Sequence, residues 1–267
     1  MNFLVVPSFV LIFLAISMPS SSDPHFDGSK MSYNSSVVNC ARFARAAKQH
    51  QCVMTPLSTE GPYFIADDLE RSDIREDREG VPLHLEIYIV DASNCSPVPD
   101  AVVHLWSCDA LGEYSGYEGD APPTKAVRNP PINNHRFLRG KQVTNKDGKV
   151  LFDTIFPGWY ASRTIHIHME VNRGDNIVHI AQLYFTEEVS KAVAEQRPYS
   201  LNNQKRATNE QDFLFPNTGG SNTILKIEGD LQNGLEATLV LGLDPKVYYG
   251  PRSRVLTRTS RRGSRRG

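Results

Sequence analysis

Residues 164–171, Thr-Ile-His-Ile-His-Met-Glu-Val, carry the alternating pattern that predicts a β-strand. Successive side chains of a strand point to opposite faces, so His166 and His168 lie on the same face. The two isoleucines and the methionine of this stretch then form the opposite, apolar face. Two imidazoles on one face are able to bind a metal ion, although an isolated pair of this kind is more often solvated or hydrogen-bonded.

Further stretches with strand character lie on both sides of this one, separated by polar connections. They are His84 to Val90, Ala101 to Ser107, Val150 to Ile155, Ile177 to Phe185, Thr223 to Ile227 and Leu235 to Leu241. The Asp-Gly pair in Asn145–Gly148 predicts a tight turn, and residues 187–196 are predicted to form a single helix. Many short strands with long connections predict a mainly β fold, an antiparallel β-sandwich preceded by a short helical and irregular N-terminal segment.

The chain divides into segments by composition. Residues 1–22 are predicted to be a signal peptide, because the apolar stretch from Phe3 to Met18 is short for a membrane span and three serines follow it. No basic residue precedes that stretch, so a membrane anchor stays the alternative. Residues 23–80 are predicted as an extension with a short helix at 40–51 and a loop, and residues 81–249 as the β-sandwich domain. We therefore expect a secreted protein that is not attached to a membrane after signal cleavage.

The last segment, residues 250–267, is strongly basic. It holds seven arginines and no acidic residue, which leaves a formal net charge of −8 on the rest of a chain whose total is −1. Such a tail is able to contact anionic surfaces or nucleic acid, but its serine, glycine and threonine content favours disorder. No nucleic-acid-binding module is visible elsewhere, so no nucleic-acid partner is predicted.

Four cysteines, Cys40, Cys52, Cys95 and Cys108, form an even set that predicts two disulfides in an oxidising compartment. Three sets of pairings are possible. Residues 101–107, if extended, span about 23 Å, which separates Cys95 and Cys108 too far for an easy bond. We therefore expect the bridges to tie the N-terminal segment to the sheet, with free buried thiols as the alternative.

Residues 157–168, Pro-Gly-Trp-Tyr-Ala-Ser-Arg-Thr-Ile-His-Ile-His, add a phenol and a guanidinium to the two imidazoles. Tyr160 and Arg163 precede the strand histidines, and Tyr114 lies upstream in residues 106–116, Trp-Ser-Cys-Asp-Ala-Leu-Gly-Glu-Tyr-Ser-Gly. A phenolate is a hard ligand, which favours iron(III) over zinc. The residues therefore indicate an iron(III) site with tyrosine and histidine ligands.

These two stretches are accompanied by Gln182-Leu183-Tyr184-Phe185 downstream and by Thr59-Glu60-Gly61-Pro62-Tyr63-Phe64 and Arg71-Ser72-Asp73-Ile74-Arg75 upstream. Together the motifs resemble the intradiol ring-cleavage dioxygenases, non-haem iron(III) enzymes that open catechols between the two hydroxyls. The resemblance runs in order over roughly residues 52–245. It implies a β-sandwich catalytic domain. Family dimers commonly use a longer helical N-terminal region, so a monomer is expected here.

The resemblance implies four Fe(III) ligands: Tyr114, Tyr160, His166 and His168. By motif position, Tyr160 is the axial ligand that leaves when a catechol binds. Arg163 is expected to stabilise charge that develops on the substrate ring, and Gln182 to hydrogen-bond to Arg163 or to the substrate. Both atoms of O2 enter a muconate-type diacid in this family, so no organic cofactor or external reductant is expected.

Two other functional classes compete with an enzyme: a secreted β-sandwich carrier of phenolic ligands, and an extracellular adhesion or structural domain with an incidental metal site. The complete set of tyrosines, histidines and Arg163 disfavours a carrier, which needs no ferric centre. A secreted enzyme would meet environmental or dietary phenolics, so a broad pocket is expected, with Tyr63, Leu57 and Pro62 as its roof. Other conspicuous residues are not expected to be ligands: His104, Trp106, Tyr117, His135, His179 and Tyr184.

Overall fold

The structure is a computed structural model that describes residues 58–67, 69–119, 130–160 and 162–244, with the backbone of residues 37–38 and 52–53. The predicted signal peptide, the predicted helix at 40–51, the basic tail and Leu57 lie outside the described residues.

Strands dominate the described part of the chain. In chain order its regular elements are β1 (Val37–Val38), β2 (Cys52–Val53), β3 (Pro82–Asp91), β4 (Val102–Trp106), β5 (Arg139–Val143), β6 (Lys149–Ile155), β7 (His166–Arg173), β8 (Asn176–Tyr184), α1 (Glu187–Ala194), β9 (Lys226–Asp230) and β10 (Gly234–Leu243). Single 3-10 turns at Tyr199–Leu201, Asn209–Gln211 and Gly220–Thr223 lie between α1 and β9. In these described ranges the helices are too short or too polar to cross a lipid bilayer.

The strands form two sheets. The larger sheet has the order β1-β2-β10-β3-β6, with β9 paired to β10, and the smaller sheet has the order β5-β4-β7-β8. Most neighbours are antiparallel, but β10 runs parallel to β2 and β3, with Leu235 opposite Leu83. Parallel neighbours need a long connection, which the chain between β3 and β10 supplies. The mainly β sandwich is confirmed, and its larger sheet is mixed rather than purely antiparallel.

The apolar faces of the two sheets pack together to form the core. Leu85 and Ile87 of β3 are completely buried in it, facing Ile167 and Met169 of β7 within the same apolar cluster. This is the apolar face that the alternating pattern predicts. The other face of the smaller sheet therefore points away from the core, and residues 58–67 cross it: Ser58 N–H donates to the carbonyl of Ile180 on β8.

Six of the predicted strands match observed strands, and their ends differ by at most two residues; the observed strands are β3, β4, β6, β7, β8 and β10. The helix ends at Ala194 rather than at residue 196. The predicted strand from Thr223 to Ile227 is wrong at its start, because Thr223 closes a 3-10 turn by donating its hydroxyl to the carbonyl of Gly220. The edge strand β5 is missing from the sequence prediction. Its residues, Arg-Gly-Lys-Gln-Val, lack the apolar alternation on which strand prediction depends.

The cysteines follow the prediction only in part. Cys95 is disulfide-bonded to a partner whose side chain lies outside the described residues. Cys108 is a free and buried thiol, so the prediction of two disulfides among the four cysteines is wrong. Cys108 lies directly after β4 and packs among Trp106, Tyr114 and Tyr160 in an aromatic cluster.

Candidate functional site

Two histidines on β7 face each other on the outer side of the smaller sheet. His166 and His168 are 2% and 1% exposed, and their Nε2 atoms lie 3.1 Å apart. The Nδ1 of His166 lies 2.7 Å from the carbonyl oxygen of Thr164. Because a carbonyl only accepts, Nδ1 carries the proton and Nε2 of neutral His166 keeps its lone pair. That nitrogen is therefore available as a ligand.

The ring of His168 is contacted by two neighbours. The indole of Trp106 on β4 stacks on it, with ring centroids 4.9 Å apart and planes inclined by 6°. Gly61 lies at the Cε1 edge of the ring, where an added Cβ would come within 3.1 Å of Cε1 of His168. Gly61 also has a φ of +75°, a conformation that side-chain-bearing residues rarely adopt. The ring is thus fixed by residues from two different segments.

Two loops bring the tyrosines to the histidines. Tyr114 follows β4 and Tyr160 follows β6, and their ring centroids lie 5.7 Å apart. At Gly158 the backbones of the two loops touch, because an added Cβ there would meet the carbonyl oxygens of Asp109 and Ala110 at 2.5 Å. The N–H of Gly158 also donates to the carbonyl of Asp109 at 3.1 Å. This glycine contact is the local reason that two tyrosines 46 positions apart become neighbours.

Tyr63 covers the ring of Tyr114. Their centroids are 4.3 Å apart in a stacked arrangement, and Tyr63 meets the Tyr160 ring edge-on at 6.0 Å. Tyr63 is held in this place by Arg139, whose Nη1 donates to its carbonyl oxygen at 2.6 Å. The upstream motif, residues 59–64, therefore reaches the site, and Tyr63 covers it as expected.

Arg163 connects most of the remaining polar groups. Its Nη1 donates to the Tyr160 hydroxyl at 3.1 Å, and its Nη2 donates to Oε1 of Gln182 at 2.5 Å. Its Nε donates to the carboxylate of Asp212 at 2.7 Å. Gln182 also accepts from the hydroxyl of Tyr184 and donates through Nε2 to the carbonyl of residue 59. The expected hydrogen bond between Gln182 and Arg163 is therefore present.

Burial sets the charge states of these groups. It lowers the pKa of His166 and of His168 well below their usual range, with the nearby cation of Arg163 acting in the same direction. Burial also raises the pKa of Tyr114 and of Tyr160, and for Tyr160 the guanidinium of Arg163 opposes the rise. Burial thus favours neutral imidazoles and neutral phenols, and ionised phenols at this site need a compensating cation.

The unpaired polar atoms fit a metal ion. The buried hydroxyl of Tyr114 makes no hydrogen bond of normal geometry, although it lies close enough to Tyr160 to lower the pKa of that phenol. The Nε2 atoms of His166 and His168 lie 3.1 Å apart, close enough to bind one ion together. No group of three His, Cys, Asp or Glu side chains suited to a metal occurs in the described ranges, and the phenols of Tyr114 and Tyr160 are the further donors beside the two histidines. Tyr114, Tyr160, His166 and His168 are therefore a donor set suited to a hard ferric ion.

The structure brings together all six side chains proposed for the site and adds two that sequence reasoning missed. Asp212, in the long polar connection after α1, is completely buried at its side chain. Arg139, at the start of β5, donates to both the hydroxyl and the carbonyl oxygen of Ser115, next to Tyr114. In the sequence, Asp212 directly precedes the apolar residues Phe-Leu-Phe. This neighbourhood was the one pattern that could have indicated a buried carboxylate.

Three of the other conspicuous residues, which are not expected to be ligands, contact the site. Trp106 stacks on His168, Tyr184 donates to Gln182, and Tyr117 packs edge-on against Tyr63 at 5.4 Å. His135 contacts Glu118 at the surface, and His179 lies on the core side of β8.

Comparisons with known proteins show the family to which the chain belongs. The family described as Dioxygenase matches residues 53–207, more than half of the chain. An intradiol ring-cleavage dioxygenase of known structure from Tetranychus urticae is 39% identical, with a TM-score of 0.71 and coverage of 74% of this chain and 98% of that one. The dioxygenase domain of a carbohydrate-binding fusion protein from Streptomyces sp. SirexAA-E is 26% identical, with a TM-score of 0.51 and coverage of 72% and 98%.

A curated relative, the catechol 1,2-dioxygenase of Pseudomonas sp. (strain EST1001), is 28% identical over 94 residues. This match spans 33% of the chain and 31% of the relative, so it covers less than a third of that protein's length. The match to the dioxygenase family spans the segment that carries the tyrosines and histidines, and the structural likeness covers nearly all of the Tetranychus urticae enzyme. The chain is a member of the intradiol ring-cleavage dioxygenase family.

Proposed function

We propose that this protein is a secreted non-haem iron(III) dioxygenase that cleaves catecholic rings between their two hydroxyls with O2, giving muconate-type diacids. The observation that carries the proposal is the convergence of two neutral imidazoles and two phenols on one buried position, with the Nε2 atoms of His166 and His168 3.1 Å apart. A catechol as substrate is supported by the catechol 1,2-dioxygenase among the relatives.

Ferric iron, when bound, would supply Lewis acidity and a redox-active centre for a catecholate and O2. Tyr114, Tyr160, His166 and His168 would hold it. The near-complete burial of these four residues keeps bulk water from the reacting ring and strengthens every electrostatic interaction at the site.

Arg163 provides a fixed positive charge beside Tyr160. Its guanidinium is held at all three nitrogens, by Tyr160, Gln182 and Asp212, so it needs no rearrangement to stabilise negative charge on a substrate ring. Burial alone would lower its pKa, but the partners Tyr160 and Asp212 outweigh burial and raise it. The charge is thus permanent at any working pH.

Tyr160 is the proton-handling group in this proposal. Its hydroxyl oxygen accepts a hydrogen bond from Arg163, and it is the least buried of the four donors at 9% exposure. As the phenolate that would hold ferric iron, Tyr160 would be able to accept the proton of an incoming catechol hydroxyl and become a neutral phenol, whereas Tyr114 is held under the stacked ring of Tyr63. The two tyrosines therefore have different roles.

The finer parts of the proposal are secretion, a monomeric state and a broad range of environmental or dietary phenolics. The apolar stretch at residues 3–18 supports secretion. Size-exclusion chromatography with light scattering tests the monomer: a mass near 30 kDa or slightly below is expected, and a dimer mass would contradict it. A panel of substituted catechols tests breadth, which strict selectivity for unsubstituted catechol would contradict.

The deciding experiment is the visible spectrum of the purified protein before and after anaerobic addition of catechol, followed by product identification after air is admitted. A ferric–phenolate absorption band that shifts with catechol, together with a muconate product, is expected. A preparation that stays colourless after loading with ferric iron, yet still binds catechol, would exclude the enzyme and favour the phenolic carrier.

A further inference from the structure

Phe213 is the most exposed large apolar side chain in the described part of the chain, at 62%. It directly follows Asp212, whose side chain is completely buried. An exposed phenylalanine on a soluble protein forgoes the stabilisation that burial of its ring would give. Its position beside Arg163 suggests a role in substrate binding.

The backbone around Phe213 is fixed by hydrogen bonds. The carboxylate of Asp212 accepts from Arg163 Nε and from the N–H groups of Thr164, Leu214 and Phe215. On the far side, Nδ2 of Asn217 donates to the carbonyl of Phe213 at 2.6 Å. The ring is therefore presented to solvent from a rigid turn, so little conformational entropy is lost when a ligand packs on it.

The ring of Phe213 lies beside Arg163, one of the two most exposed residues of the site. Among the site residues Tyr160 and Arg163 are the most exposed, at 9% and 7%, and His166 and His168 lie deeper. The guanidinium carbon of Arg163 is 5.5 Å from the centroid of the Phe213 ring, a cation–π contact. Phe213 thus sits between solvent and the guanidinium that touches Tyr160.

We propose that Phe213 is a specificity-determining residue at the mouth of the site, which packs against the flat apolar substituent of an aryl-substituted catechol. This inference rests on the proposed function. When the diol enters beside Tyr160 and Arg163, a ring attached to the catechol remains outside the buried donor set, on the side that Phe213 occupies. Offset or edge-to-face packing with Phe213 then holds that second ring.

The probes are unsubstituted catechol and 4-phenylcatechol, which share the diol and differ by one ring. For Phe213→Ala in the iron-loaded protein, we expect the ratio of kcat/KM for 4-phenylcatechol to that for catechol to fall about two- to tenfold, the usual contribution of an aromatic pair. Phe213→Leu keeps an apolar side chain without the ring and should lose part of this ratio. Leu201→Ala, which removes another exposed apolar side chain (56%) in the turn Tyr199–Leu201, is the matched control and should leave the ratio unchanged.

Equilibrium binding of both catechols without oxygen provides a second readout, in which the same loss of preference for 4-phenylcatechol is expected. An unchanged ratio, or an equal loss for both probes, would overturn the role of Phe213, because the residue would then act only through Arg163. If wild-type protein binds the catechols but opens neither ring, the proposed function fails, and the anaerobic binding ratio still decides the inference about Phe213.

Discussion

The hydroxyl of Tyr160 is the residue-scale feature on which the reaction depends, because it is both a proposed iron ligand and the acceptor of a hydrogen bond from Arg163. For Tyr160→Phe we expect turnover of catechol to fall by more than about tenfold, as expected when a metal ligand is lost, and the ferric–phenolate band to weaken and shift. Steady-state kinetics and visible spectra of iron-loaded protein measure both effects.

Tyr117→Phe is the matched control, since it removes the hydroxyl of a buried tyrosine of the same cluster that lies outside the donor set. It should keep the absorption band and most of the turnover. Undiminished ring cleavage by Tyr160→Phe would contradict the assignment of Tyr160 as a ligand.

Asp212 gives a second residue-scale prediction. Asp212→Asn keeps the shape of the side chain but removes the charge that holds Arg163 Nε and the Thr164 N–H. Charge-assisted hydrogen bonds contribute about 1.5–3 kcal/mol, so kcat/KM for catechol should fall about tenfold or more. Asp230→Asn, at an exposed carboxylate that caps its own turn, should change neither kinetics nor iron content. A folded Asp212→Asn protein with unchanged kcat/KM would show that Arg163 is positioned without it.

The difference between the predicted and the missed site residues has a physical cause. The histidines, Tyr160 and Arg163 lie close together in one stretch of sequence, and a strand period places both imidazoles on one face. Asp212 reaches Arg163 from 49 positions away through a connection that has no periodic pattern. A contact of that kind depends on the tertiary path of a loop, which neither spacing nor local propensity encodes.

At the scale of the element, β8 places His179 among the core-facing positions of the strand rather than on the site face. Burial lowers its pKa to about 4, from an ordinary value of about 6.5. Between pH 4 and pH 6.5 the unfolded chain therefore binds a proton at His179, whereas the folded protein does not. The free energy of unfolding should fall as pH decreases from about 6.5 to 4, by about 3 kcal/mol at most, with no further contribution from His179 below pH 4.

Urea unfolding at several pH values measures this slope, and His179→Leu should make it shallower. Ile177→Val, which changes a buried residue of the same strand but no titratable group, is the control that should leave the slope in place. An equally steep slope in His179→Leu would assign the pH dependence to other groups.

Strands in which apolar residues alternate with polar ones could be predicted from the sequence, whereas strands without this alternation could not. β3, β7 and β10 alternate clearly, so their existence and buried faces follow from the sequence. β5 and the start of β9 are held by pairing with neighbours and by a 3-10 turn, which depend on partners distant in sequence. For the same reason the direction of β10 relative to β3 was not predictable, because strand period carries no information on orientation.

The fold buries the thiol of Cys108 and so protects it from reaction with solutes. The thiol is 1% exposed, and burial raises its pKa, so its reactive thiolate form is scarce in the folded protein. We expect alkylation of Cys108 in native protein to occur only at the rate of global unfolding, and to become rapid in denaturant. Peptide mass spectrometry over time measures it, with Cys108→Ala to identify the peptide. Fast labelling without denaturant would show that the cluster around Tyr114 and Tyr160 opens locally.

The position of β10 between β2 and β3 has a consequence for biosynthesis. β3 ends at Asp91 and β10 begins at Gly234, so about 140 residues are made between them. At about 5–20 residues per second, the ribosome takes about 7 to 30 seconds to supply that segment. During this time the edge of β3 that β10 will cover stays open to other nascent chains, since an unpaired strand edge is a template for aggregation. The larger sheet is completed only after β10 has emerged, so the newborn chain presents the open edge of β3 to chaperones until then.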